Sequence, residues 1–194
     1  MNEAEHAMTV DFSLGLREVV GQELRLDPAS AGISGMWSLD AGDIPVAHLR
    51  FGHDGWAVEV ACKEAQWRLA KNKKFGWELN IERPDGGLLG SYYGRRWRSG
   101  GGIELANGTR AELRRSPLRN RWQIRNTHGA VCDILSRAYV GKLTTRRTED
   151  RMTVTLDREP SGIGSLEIVV LTACGVIMLT DALAAAGARA DMGR

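Results

Sequence analysis

The chain has 194 residues, of which 43% are hydrophobic and 26% are charged, and its formal net charge is +2 at pH 7. This composition excludes a wholly disordered chain, and the length suffices for one domain with a substantial core. The three cysteines, Cys62, Cys132 and Cys174, lie far apart and have no CxxC spacing. They indicate neither a disulfide framework nor a zinc site, and they fit a reducing environment. The first residues do not resemble a secretory signal.

The small net charge conceals opposite charges in two parts of the chain. Residues 1–66 contain 4 basic and 11 acidic side chains, whereas residues 94–151 contain 14 basic and 5 acidic ones. Such an asymmetry can indicate an anionic partner such as phosphate, a lipid headgroup or nucleic acid. The alternative is that the two parts are neighbours in the fold and that their charges offset one another.

Apolar and polar residues alternate along most of the chain between residues 34 and 157. Leu79 and Ile81, for example, alternate with Glu78, Asn80 and Glu82. A period of two predicts strands that are buried on one face. The same pattern recurs at 56–61, 110–114, 118–125 and 152–157, and the segments 9–14 and 19–26 are predicted to add strands. We therefore predict ten to twelve strands within 9–157 in a single all-β domain, with a looser stretch at 142–149.

Glycine-containing turns separate the predicted strands at intervals of about ten residues. They are His53-Asp54-Gly55, Pro84-Asp85-Gly86-Gly87, Asn107-Gly108 and Thr127-His128-Gly129. The glycine runs at 86–87 and 100–102 lack the strand–loop–helix context of a phosphate-binding loop, so both are predicted to be hairpin turns. This spacing is typical of an antiparallel sandwich or barrel.

The pattern changes at residues 166–188, which are apolar almost throughout. Glu167 suits the start of a helix and Gly187 is expected to end it, so we place the helix at about 165–186. The uncharged run 168–180 has 13 residues, fewer than the ~20 that a bilayer core requires. The sequence therefore favours a helix enclosed by the sheet, with Asp181 near the mouth, over a membrane tail anchor formed by 166–188.

A long antiparallel sheet followed by one apolar helix resembles the Tubby C-terminal-like superfamily, which includes the plant LURP-one-related proteins and the phospholipid scramblases. The resemblance rests on the short strands with DG-type turns, on WRLAKNKKFGWELNIERPDGGLLGSYYG at 67–94 and on LEIVVLTACGVIMLTDALAAA at 166–186. It covers roughly residues 9–187. It implies one domain over 1–194, a mainly β fold in which a closed antiparallel β-barrel of about twelve strands encloses the hydrophobic C-terminal α-helix.

Physical reasoning leads to the same architecture, because a barrel of this size is too wide to be filled by its own side chains. An apolar helix can fill the lumen, as it does in other can-shaped barrels. The inward-facing residues Trp56, Trp67, Trp77 and Trp122 are then expected to pack against Val169, Val176, Leu179 and Leu183.

A basic cluster interleaved with aromatic residues is the first candidate site. The cluster consists of Lys71, Lys73, Lys74, Arg95, Arg96 and Arg98, with Tyr92, Tyr93 and Trp97 nearby. Lysine and arginine hold phosphate by charge and by forked hydrogen bonds, and an aromatic ring suits a membrane interface. Since Tubby-like proteins bind phosphoinositide headgroups through basic surface residues, the resemblance implies an anionic phospholipid or membrane surface as partner. The alternative is a solvated rim of strand ends and turns.

An arginine series is the second candidate site, and it consists of Arg110, Arg114, Arg115, Arg119, Arg121 and Arg125. Alternate arginines on adjacent strands could form one positive face that follows a phosphate backbone. Because no nucleic-acid-binding motif accompanies the series, a solvated face is favoured and a nucleic-acid partner is the weaker alternative.

The sequence offers no constellation that identifies an enzyme. The histidines lack metal-ligand spacing, no nucleophile elbow is present, and the cysteines are predicted to be buried and inert. The lack of a DxDxDG-type loop and of a cysteine cluster argues against scramblase activity. We predict a non-enzymatic binding or scaffold module without cofactor or metal. It is expected to be cytoplasmic, with peripheral attachment to the inner membrane surface; no protein partner is indicated.

Overall fold

The computed structural model describes residues 12–29, 35–52, 57–72, 77–95, 100–116, 121–136, 152–156 and 165–192, with helix side chains as far as Ala182. These residues form twelve strands, one 3₁₀ helix (Leu16–Val19) and one α-helix, α1 (Leu166–Met192). The strands are β1 (Glu23–Pro28), β2 (Met36–Ala41), β3 (Ile44–Phe51), β4 (Ala57–Cys62), β5 (Gln66–Lys71), β6 (Glu78–Glu82), β7 (Leu88–Gly94), β8 (Gly100–Leu105), β9 (Arg110–Arg115), β10 (Arg121–Asn126), β11 (Gly129–Ser136) and β12 (Met152–Leu156).

The strands form a closed antiparallel barrel in which each strand pairs with its neighbours in chain order. The first and last strands close it, with Leu24 of β1 opposite Val154 of β12. Closure leaves no sheet edge exposed for pairing with another chain. The predicted twelve-strand barrel with an enclosed C-terminal helix is therefore confirmed.

Side chains alternate between the inside and the outside of the barrel as the sequence pattern predicts. On β5, Trp67 and Leu69 are buried between the exposed Gln66, Arg68 and Lys71. Three register shifts, at 39/40, 81/82 and 124/125, interrupt the regular pairing. Such bulges increase the local bend and twist, which helps the sheet to close.

Two of the four tryptophans that were predicted to face inward do so, because Trp67 and Trp122 are each 2% exposed. Trp77 is half-buried in the turn before β6, so the strand begins at Glu78 and not earlier. Trp56 lies outside the described residues.

Helix α1 is enclosed on all sides by the barrel along its first half. Val170, Leu171 and Cys174 are fully buried, and burial extends to Leu179. Asp181 is half-buried and Ala182 is exposed, so the helix leaves the barrel there and Asp181 lies at the mouth, as predicted.

The predicted end of the helix at Gly187 is wrong, because α1 has 27 residues and continues to Met192. A helix of this length spans about 40 Å. One internal glycine costs only ~1 kcal/mol, and the alanines around it are the strongest helix formers.

The helix runs from one end of the barrel to the other. Near its start, Asn107 donates a hydrogen bond of 2.9 Å to Ser165, beside the connection between β8 and β9. Farther along, Gly175 comes so close to Leu69 that an added Cβ would lie 2.5 Å from its Cδ1. We call the end where α1 begins the turn end, and the end where it leaves the barrel the loop end.

A 3₁₀ helix closes part of the turn end. Leu16 and Val19 are fully buried in the barrel core, and the turn is fixed by a 2.5 Å hydrogen bond from the Gly15 amide to the Glu18 carboxylate. Lys63 also binds Glu18, at 2.9 Å. The strand predicted at 19–26 therefore begins only at Glu23. The segment 12–14 is not a strand, and 9–11 lies outside the described residues.

The turn predictions are confirmed at three of the four places that were named. Residues 83–87, 107–108 and 127–128 connect successive strands, and Gly108 has a φ of +84°. The turn predicted at 53–55 and the looser stretch at 142–149 lie outside the described residues. The turn that was predicted at 100–102 is wrong, because these residues lie in β8, which pairs with both β7 and β9.

Candidate functional site

Two described residues of the predicted basic cluster lie at the loop end. Lys71 is the last residue of β5 and is exposed, and Arg95 follows β7 with 72% of its side chain exposed. Since both strands end at the loop end, the two cations lie at the same end of the barrel. The other four residues, Lys73, Lys74, Arg96 and Arg98, belong to the connections after these strands and lie outside the described residues.

The connections at the two ends of the barrel differ in composition. The six connections that join strands at the loop end contain eleven Lys or Arg and three Asp or Glu residues. The five at the turn end contain two basic and three acidic residues. The loop-end connections also contain the aromatic residues Trp56, Phe75, Trp77, Trp97 and Tyr139, whereas the turn-end connections contain none. Basic and aromatic residues are therefore concentrated in the loop-end connections.

Arg95 shares a carboxylate with a second arginine on the outer wall of the barrel. Its Nη1 lies 2.8 Å from Oε1 of Glu112 on β9, and Nε of Arg114 lies 2.8 Å from Oε2 of the same carboxylate. One negative charge therefore faces two positive charges. Because each guanidinium has five N–H donors, both can still bind an anion.

Most of the described members of the arginine series are paired with carboxylates. Arg110 lies 2.6 Å from Glu104, and Arg121 lies 2.5 Å from Asp133. The hydrogen bond to Asp133 and its negative charge raise the pKa of Arg121. Together with the pairing of Arg114, these contacts neutralise much of the face that the sequence suggested as a phosphate-binding surface.

Arg115 does not belong to the outer face on which its series was placed. It continues the inward row of β9 after Ala111 and Leu113, and it lies opposite Trp122. Its guanidinium carbon is 5.4 Å from the Trp122 ring centroid. Because Arg115 faces inward, the described members of the series do not form one continuous row; Arg119 lies outside the described residues.

The glycines of β8 have different structural roles. An added Cβ at Gly100, where φ is +97°, would lie 1.9 Å from the Leu113 carbonyl oxygen. At Gly101 it would lie 2.3 Å from the Tyr93 carbonyl oxygen. Both positions therefore require glycine. At Gly102, no atom of the described residues lies within 4 Å of the Cβ position.

A cavity of about 480 Å³ opens at the turn end beside the start of α1. Ala65, Leu89 and Ile168 contribute apolar side chains, and the exposed Arg83 and Asp85 lie in the same lining. Ile168 is half-buried, in contrast to the helix residues after it as far as Leu179. Sequence reasoning did not find this cavity, because its lining comes from three separate segments with no shared motif.

The three cysteine thiols are buried, as the sequence predicted. Burial raises the pKa of Cys62 to about 11 and that of Cys174 to about 12. It also raises the pKa of Cys132 well above its usual value. Because the thiolate is the reactive form, these environments suit structural cysteines.

Comparisons with protein-family models, with curated proteins and with solved structures found no significant match to this chain. The resemblance to the Tubby C-terminal-like superfamily therefore stays a prediction. Within the described part of the chain, no helical segment combines the length and the hydropathy of a membrane-spanning helix. The same part of the chain contains no group of three or more His, Cys, Asp or Glu residues placed to hold a metal ion.

Proposed function

We propose that the protein is a non-enzymatic binding module that attaches to anionic phospholipid headgroups through the loop end of its barrel. The observation that carries this proposal is the difference in charge between the two sets of connections, eleven basic and three acidic residues against two and three. Lys71 and Arg95, both exposed, are the described members of the basic cluster, and they lie at the loop end. A surface of this kind is attracted to the negative potential of an anionic leaflet.

The expected size of the attraction follows from the charges. A Lys or Arg near an anionic surface contributes about 1 kcal/mol, so Lys71 and Arg95 together favour binding by roughly 2 kcal/mol at most. Glu112 offsets part of the charge of Arg95. Lys73, Lys74, Arg96 and Arg98 are expected to add to the attraction. Tyr93, 48% exposed and two residues before Arg95, offers an apolar ring with a polar tip, which suits the interface.

Peripheral attachment is favoured over the two alternatives by the contacts of the residues that they would use. A tail anchor at 166–188 needs the helix outside the barrel, but Val170 and Leu171 are fully buried in it. A nucleic-acid site needs a continuous face of free arginines, but Arg110 and Arg121 are each paired with a carboxylate of their own, and Arg115 faces inward. Headgroup binding at the loop end requires neither the release of the helix from the barrel nor a free arginine face.

Vesicle sedimentation of the full-length protein tests the proposal. We expect binding to phosphatidylcholine vesicles that contain phosphatidylserine, little binding to phosphatidylcholine alone, and weaker binding as the salt concentration rises. The double variant Lys71→Gln/Arg95→Gln is expected to bind up to about 30-fold more weakly, which corresponds to the loss of two basic contributions.

A matched pair of cations at the turn end provides the control. Arg25 and Arg83 are exposed and lie near that end. The double variant Arg25→Gln/Arg83→Gln therefore removes the same charge from the opposite end of the barrel. This control is expected to bind like the unchanged protein. Equal loss of binding in the two double variants, or equal binding to neutral and acidic vesicles, would overturn the proposal.

A further inference from the structure

Gly102 is a glycine in a strand interior, and no contact with the described part of the chain requires glycine there. It does not have the positive φ of Gly100, and its Cβ position does not meet the backbone as that of Gly101 does. Glycine weakens a strand because it loses more conformational freedom on folding and has no side chain to pack. Glycine in a strand interior often marks a bulge, a bend or the close approach of a ligand or another backbone, and the pairing of Gly102 with both neighbouring strands is regular.

The neighbouring strands turn this position into a shallow depression on the outer wall. Gly102 lies directly opposite Tyr93 on β7 and Glu112 on β9. Two strand spacings separate β7 from β9, which gives a width of about 9.5 Å. We call this depression the glycine trough, with Gly102 as its floor and with Tyr93 and Glu112 as its walls.

One wall of the trough is aromatic and the other is charged. The Tyr93 side chain is 48% exposed, whereas its neighbour Tyr92 points into the core and is 4% exposed. On the opposite wall, Arg95 and Arg114 each bind one oxygen of Glu112, so three charged groups sum to one positive charge. Glu112 holds both guanidinium groups close to the trough.

We propose that the glycine trough binds a small planar ring that carries an anionic group. The ring lies over Gly102 against the face of Tyr93, where stacking favours it. The anionic group accepts hydrogen bonds from Arg95 and Arg114, whose remaining N–H donors match a phosphate or carboxylate. This site differs from headgroup binding at the loop end, although both use Arg95.

Phenyl phosphate is a suitable probe, and phenol and inorganic phosphate separate the two halves of the interaction. In a nuclear magnetic resonance titration of the full-length protein, phenyl phosphate is expected to shift the amide signals of Tyr93, Gly102 and Glu112 at millimolar or lower concentrations. Phenol and inorganic phosphate are each expected to bind at least about tenfold more weakly, because each loses the stacking or the charged hydrogen bonds.

Gly102→Val tests the floor of the trough, and its unfolding midpoint serves as the control for folding. The new Cβ has no atom of the described residues within 4 Å, and valine favours a strand, so the unfolding midpoint is expected to stay the same or to rise. Phenyl phosphate binding is expected to be lost. Arg114→Gln is expected to weaken it at least about tenfold, since a charge-assisted hydrogen bond is removed.

Thr155→Val on β12 is the matched control, because it adds valine at another exposed position of the barrel wall. It is expected to leave phenyl phosphate binding unchanged. Gly102→Val is expected to retain binding to acidic vesicles, and Lys71→Gln is expected to retain binding to phenyl phosphate. The proposal is overturned if phenyl phosphate does not bind, or if Gly102→Val binds it as well as the unchanged protein does.

Discussion

The two ends of the barrel have different constructions. At the turn end, connections of two to five residues join the strands, the 3₁₀ helix at Leu16–Val19 fills part of the opening, and Glu167 of α1 binds Arg17. At the loop end, the connections have five to fifteen residues, and α1 passes out of the barrel beyond Asp181. Apolar burial therefore dominates one end, and basic charge dominates the other.

This difference indicates that the stability of the barrel and the charge of the loop end can be changed separately. Long connections cost little folding free energy, because loop-closure entropy grows only slowly with length. The loop end can therefore carry many repelling cations, while the buried helix and the plug at the turn end stabilise the barrel. Substitutions at the two ends should therefore have different effects. The largest difference in stability is expected between an enclosed and an exposed position of α1.

Leu171→Asp is expected to prevent folding. Leu171 is fully buried in the barrel, and an unpaired carboxylate there costs more than about 4 kcal/mol, a large part of the stability of a typical domain. Far-UV circular dichroism and urea unfolding measure the loss.

Ala182→Asp introduces the same charge on the same helix just beyond the loop end. Because Ala182 is exposed, the free energy of unfolding of this variant is expected to lie within about 0.5 kcal/mol of that of the unchanged protein. A folded Leu171→Asp variant of ordinary stability would contradict the enclosed position of α1.

Leu16→Ala tests the plug at the turn end, and its expected cost is about 2–5 kcal/mol. Leu16 is fully buried, so truncation removes apolar contacts and leaves a cavity. Leu135→Ala on β11, near the loop end, is the matched control. Because Leu135 is 46% exposed, its truncation should cost less than about 1 kcal/mol. Similar urea midpoints for the two variants would show that the 3₁₀ helix does not stabilise the barrel.

The parts of the fold that depend on repeated patterns could be predicted from the sequence. Alternation at Leu79 and Ile81 identified a strand, and the uncharged run at 168–180 identified a helix that needed enclosure. Both signals sum over many residues, so one exception does not change the result. Lys71 and Arg95 could be found as exposed cations because they come at the ends of such strands.

The parts that depend on single tertiary contacts could not be predicted. The 3₁₀ helix at 16–19 is fixed by Glu18 and by burial against α1, and its sequence also suits a strand. The glycines at 100–102 suggested a turn, because sequence alone does not show that Gly100 and Gly101 touch neighbouring backbone. The pairing of Arg95 and Arg114 with Glu112 depends on strand register, which the pattern of individual strands does not give.

Glu167→Gln is expected to destabilise the protein less than Leu171→Asp or Leu16→Ala, with a loss of about 1–2 kcal/mol. The Glu167 carboxylate lies in the first turn of α1, is only 10% exposed and accepts a 2.9 Å hydrogen bond from Arg17, so the variant loses a favourable charge at a helix start and an ion pair. The control is Glu23→Gln, whose carboxylate lies 3.8 Å from Arg25 with both side chains at least 60% exposed; there the loss should be below about 0.5 kcal/mol. Equal changes in the urea midpoint would mean that apolar packing alone fixes the start of the helix. A larger loss at Glu167 would show that the turn end is also stabilised by the partly buried charge pair between α1 and the 3₁₀ helix.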